Sequence, residues 1–140
     1  MTPKGSSSLQ KELFQDQQNE IDAYHIYNTL AEKTKKKHNK KILKSIASDE
    51  QNHYNLIKQY TKTDLKPDKK KIFFYIILAR LLGFTFALKL LENAEQKAQD
   101  TYKKIGDSYP QLKQITRDEE EHERELINMM NEDRLDYMGS

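Results

Sequence analysis

The 140-residue chain has no cysteine and no tryptophan, and only three prolines and four glycines. Without thiols it can form no disulfide, no thiolate nucleophile, no zinc–thiolate site and no Cys-x-x-Cys iron module. Sparse glycine and proline leave few of the punctuators that multi-stranded folds need at their turns. Charge of one sign is also missing. Twenty-four Lys and Arg stand against 22 Asp and Glu, and the resulting +2 is too small to make nucleic acid a partner. No uninterrupted apolar run reaches the ~20 residues of a membrane span. The most apolar stretch, 72–84, is broken by Arg80 and preceded by Lys69, Lys70 and Lys71, so a buried or subunit-contacting helix is expected there. Residues 1–8 lack the apolar core of a signal peptide, are expected to be flexible, and point to a cytoplasmic location.

What the chain does have is charge in abundance, 33% of residues, arranged with an apolar stripe at helical spacing. Four long helices are expected. The first covers about 9–35, with Ser8 as N-cap and the stripe Leu13, Gln17, Glu20, Tyr24, Tyr27 and Ala31. The second covers about 39–60 and carries Leu43, Ile46, Glu50, His53, Ile57 and Tyr60. The third ends near Ile105, ahead of Gly106, with Leu88, Glu92, Glu95, Tyr102 and Ile105. The fourth follows Pro110 with Leu112, Ile115, Glu119, His122, Leu126 and Met129. Segment 61–83 is too long for a hairpin turn and reads as a crossover containing a short apolar helix. Its continuity with the third helix through Gly83 is left open. The expected fold is one all-α domain over 1–140, a four-helix bundle with one long crossover.

The chemistry lies in a repeat. Asp49-Glu50-Gln51-Asn52-His53 and Asp118-Glu119-Glu120-Glu121-His122 each hold Glu-x-x-His, which puts both side chains on one helix face a turn apart. Each is preceded by a helix with Glu-x-x-Ala-x-x-x-Tyr, at Glu20–Tyr27 and Glu95–Tyr102. All four glutamates and both histidines fall on the apolar stripe. A buried carboxylate must be neutralised, paired or bound to metal, and four facing one core call for a common cation. Helical bundles hold two carboxylate-bridged metal ions with this ligand set. Its oxygen-rich character suits iron, or manganese, better than zinc or copper. Four carboxylates also balance two divalent ions. His25 falls off the ligand face, and His38 sits in the Lys-rich tip between the first two helices.

These residues resemble the rubrerythrin branch of the ferritin-like superfamily, over about 9–130. The resemblance implies a ferritin-like fold in which Glu20, Glu50, His53, Glu95, Glu119 and His122 bind two iron ions and carry the catalysis. It makes Glu92 the counterpart of a further ligand glutamate, and Tyr27 and Tyr102 the tyrosines that hydrogen-bond the ligands. The implied activity is that of a ferroxidase or peroxidase acting with O2 or H2O2 in iron or peroxide handling. Residues 78–84 and 127–140 look closest to the N-terminal ferritin-like domain of vacuolar-iron-transporter-like membrane proteins. That likeness implies an alternative, a metal-capturing or regulatory domain without turnover of its own. Its partner would be a covalent or associated iron or manganese transporter domain, tethering it at the cytoplasmic face of a membrane. A homodimer is expected from the apolar crossover.

Overall fold

A computed structural model describes residues 4–139, with side chains from 8 to 135. The described residues form five α-helices and one 3-10 turn, with no strand among them: α1 (Lys4–Lys33), α2 (Lys37–Thr61), α3 (Lys69–Leu82), α4 (Phe84–Ser108), the 3-10 turn Pro110–Leu112, and α5 (Lys113–Gly139). The expected all-α class holds. Helix α1 begins at Lys4, ahead of the serine expected to cap it, and residues 1–3 of the segment expected to be flexible lie outside the described residues. None of the described helices is long and apolar enough to cross a membrane.

The chain divides into two compact units, Met1–Phe73 and Phe74–Ser140, and each is built around one helical hairpin. In the first, α1 and α2 pack together across a three-residue turn at 34–36. Their apolar stripes supply Leu13, Ile26, Leu30, Leu43, Ile46 and Ile57, all at most 3% exposed. Each such side chain contributes about 1.5–3 kcal/mol by leaving water. Helix α2 ends at Lys62, whose left-handed backbone (φ 55) lets its N–H reach the Lys58 carbonyl.

The start of the crossover, 63–68, has no regular secondary structure and is tied to this hairpin by polar side chains. Gln17 Nε2 donates to the Thr63 carbonyl at 2.7 Å and Gln18 Nε2 to that of Lys66 at 2.8 Å. The Tyr54 hydroxyl accepts the Leu65 N–H at 2.8 Å. Buried Asp22 accepts the Asp68 N–H at 2.7 Å and sits 3.7 Å from Lys71 Nζ. These bonds satisfy backbone groups that a crossover would otherwise leave unpaired.

In the second unit, α4 and α5 pack as a hairpin through Leu88, Leu91, Ile105, Leu112, Ile115, Leu126 and Met129. Thr85 donates a short hydrogen bond to Asp133, fastening the start of α4 to α5. Helix α3 is separate from α4, which settles the question left open at Gly83. That residue stands at φ 97, ψ 164, a conformation only glycine adopts without strain. Gly106 does not end its helix as expected; α4 continues to Ser108. A Cβ there would stand 3.0 Å from Lys113 Cγ, a tight contact at the close approach of α5 that glycine avoids. Helix α3 buries none of its residues, and Phe73, Phe74, Leu81 and Leu82 are 56–75% exposed.

Candidate metal centre

Each hairpin assembles one carboxylate–histidine triad. Helix α1 carries Glu20 and α2 carries Glu50 and His53, all at most 3% exposed. One turn of α2 aligns Glu50 with His53, and hairpin packing brings Glu20 to the same level. His53 Nδ1 stands 3.4 Å from Glu20 Oε2 and 3.3 Å from Glu50 Oε1. In the second unit α4 carries Glu95 and α5 carries Glu119 and His122. His122 Nδ1 is 3.7 Å from Glu95 Oε1 and 3.8 Å from Glu119 Oε2. The sequence repeat is therefore a repeat in space, with one histidine facing two carboxylates in each hairpin.

Within each triad the candidate ligand atoms all lie within 4.8 Å of one another. Donors on one small dication bonded at about 2.1 Å stand roughly 3 Å apart, so the more widely spaced donors of each triad would draw together on binding an ion. The donor chemistry fits as well. Carboxylate oxygens with one imidazole per triad suit iron or manganese, whereas a thiolate-preferring ion finds no ligand. Two carboxylates per triad match the charge of one divalent ion, which removes the cost of burying them ionised.

The remaining expected site residues fall as follows. Glu92 is buried, one turn ahead of Glu95, but its Oε2 is bonded by Lys89 Nζ at 3.0 Å. Gln17, in the matching place on α1, is fully buried and accepts from the Thr61 hydroxyl at 2.6 Å. Tyr27 and Tyr102, two turns after Glu20 and Glu95, are 1% and 2% exposed. Gln99 Nε2 reaches the Glu119 carbonyl at 3.5 Å and Glu123 Oε1 at 3.2 Å, fixing α5 beside α4 at the level of the triad. Glu121, between two site residues in sequence, faces solvent, as does His38.

Two buried acids lie outside the expected set: Asp22, which is bonded to the crossover, and Asp16. Asp16 is 6% exposed, and burial first, then the charges of Glu20 and Glu12, push its carboxyl from 3.8 up to about 8. A stripe phased on Gln17 does not include its neighbour. The signal that could have found it is the four-residue spacing Glu12, Asp16, Glu20.

Comparison with curated proteins and with solved structures gives no match. The model of the family described as ubiquinone biosynthesis protein COQ7 matches residues 7–138, nearly the whole chain and both triads. The chain belongs to the COQ7 family, whose members are di-iron carboxylate proteins of ferritin-like, all-helical fold.

Proposed function

We propose that the protein is a di-iron oxidoreductase in which Glu20, Glu50 and His53, with Glu95, Glu119 and His122, hold the two ions, and that it hydroxylates the ring of a quinone or quinol. The observation that carries the reading is the duplicated buried triad. The ring substrate comes from the family, described by its role in ubiquinone biosynthesis and composed of di-iron carboxylate hydroxylases. When bound, a ferrous pair supplies the two electrons that let O2 give one oxygen atom to the ring and the other to water, with two protons taken up. The protein's own part is to hold four carboxylates and two imidazoles in place before the metal arrives. It also keeps that set away from bulk water, which strengthens every charge interaction within it. Tyr27 and Tyr102, buried on the same helices as Glu20 and Glu95, are read as hydrogen-bonding ligand carboxylates, which need such support to hold their orientation. Glu92 remains a candidate further ligand, to be reached by release from Lys89.

Ferroxidase or peroxidase action uses the same residues and differs in where the oxidising equivalents go. One single-turnover experiment separates the readings. Protein loaded with two ferrous ions is mixed with isotopically labelled O2 and a quinone-type ring, and the ring product and iron oxidation are followed. One labelled oxygen in the ring supports the hydroxylase. Rapid two-electron oxidation by O2 or peroxide with an unchanged ring transfers the assignment to ferroxidase or peroxidase. Binding of iron with neither outcome leaves the metal-capturing domain of a transporter.

A further inference from the structure

The two helix-borne glutamates differ in what precedes them. On α4 the residue four before Glu95 is Leu91, buried and apolar. On α1 the residue four before Glu20 is Asp16, 6% exposed, and its Oδ2 has no hydrogen-bond partner among the described residues. Residues four apart lie along one ridge of a helix, about 6 Å from each other. The same ridge continues back to Glu12. Exposure falls along it, from half-buried Glu12 to Asp16 at 6% and Glu20 at 3%. Three carboxylates thus descend from partly solvated surface to the first triad.

We propose that Glu12, Asp16 and Glu20 form a cation relay along α1, in which Asp16 transiently binds a divalent iron ion on its way to the Glu20–Glu50–His53 triad. The inference rests on the reading of that triad as an iron site. A buried carboxyl that merely filled space would be better replaced by an apolar side chain, as Leu91 does at the matching place in α4. Asp16 stays, at the cost of holding a proton at neutral pH against the field of Glu12 and Glu20. A dication supplies the counter-charge that its ionised form lacks, so an arriving ion displaces the proton. The three carboxylates bind no second permanent ion, because Glu20 is already committed to the triad.

The test follows anaerobic Fe(II) uptake by the metal-free full chain, quenching with a chromogenic chelator to read both the loading rate and the final iron per chain. Asp16→Asn cannot give up a proton to become an anionic ligand, and should reach the wild-type end point about tenfold more slowly, the rate equivalent of about 1.4 kcal/mol of lost interaction with the passing ion. Glu12→Gln should be slowed less, and Asp16→Glu should restore the rate. Wild-type rates in both Asp16→Asn and Glu12→Gln overturn the relay. A lower end point in Asp16→Asn also overturns it, since Asp16 would then be a permanent ligand. Glu12 is half-buried, so Glu12→Gln decides the matter by its rate should Asp16→Asn fail to fold. Failure of the underlying reading looks different: the wild type itself, or wild type and Glu50→Ala alike, would show no triad-dependent iron.

Discussion

Replacing Asp16 by Asn should stabilise the metal-free protein, and by an amount that grows with pH. The Asp16 carboxyl has its ordinary value of 3.8 in the unfolded chain and is pushed up to about 8 in the folded one, by burial and then by Glu20 and Glu12. The folded state therefore holds the proton more tightly. Stability attached to this group is fully present below about pH 4 and is lost as pH rises to about 8. Each pH unit in that window is worth about 1.4 kcal/mol, so at pH 7 the wild type carries a penalty on the order of 4 kcal/mol. An amide cannot ionise and escapes it. Urea unfolding of both proteins with a strong chelator present, at pH 4.5 and pH 7, isolates the effect, because the other carboxylates titrate in both. The gap should be about 1 kcal/mol at the lower pH and roughly four times larger at the higher. An equal gap at both pH values, or an Asp16→Asn protein less stable than wild type at pH 7, refutes the assignment of Asp16 as a buried, protonated acid.

Glu50→Ala and Glu119→Ala should each remove most bound iron by metal analysis, while solvent-facing Glu121→Ala leaves it unchanged; equal loss in all three would mean the helix phase is wrong. Gly83→Ala should cost about 1–3 kcal/mol in chemical unfolding, purely through backbone strain, because an added Cβ meets nothing within 4 Å. The exposed apolar side chains of α3 should be covered by a second copy, giving a dimer mass by light scattering at micromolar concentration. Phe73→Glu with Phe74→Glu should return it to a monomer.

The parts of the molecule legible in the sequence are those governed by local periodicity. Leu43, Ile46, Glu50, His53 and Ile57 recur at helical spacing, so their shared face follows from 3.6 residues per turn, and all five are buried. The same holds for Leu112, Ile115, Glu119, His122, Leu126 and Met129. What escaped depends on approach between elements. Gly106 reads like a helix stop because glycine usually is one, yet here it makes room for Lys113. Gly83 is the reverse: a glycine inside an apolar run is tolerated in helices, and only the observed positive φ shows the break. The crossover is held by Gln17, Gln18, Asp22 and Tyr54, side chains whose partners lie 11–48 residues away, and no spacing rule reports such a pairing.

The imperfection of the internal repeat is the more informative part of the chain. The two hairpins agree at Glu20 and Glu95, at both Glu-x-x-His pairs and at Tyr27 and Tyr102, the positions a pair of equivalent ions would constrain. They disagree one turn nearer the helix start, where α1 has Asp16 and Gln17 and α4 has Leu91 and Glu92. Each side keeps a single buried acid there, but on different ridges and in different company. Glu92 is answered by Lys89 at 3.0 Å, whereas burial and then the like charges of Glu20 and Glu12 push the Asp16 carboxyl up to about 8, so that it holds a proton at neutral pH. Symmetric metal ligation gives no reason for that difference. A division of labour does: the α4 acid has its counter-charge and can wait, while the α1 acid has none until a cation reaches it. The chain thus carries, at Asp16, several kcal/mol of instability at neutral pH that a neutral residue would remove, and ligand delivery on that side alone is the function that would retain it.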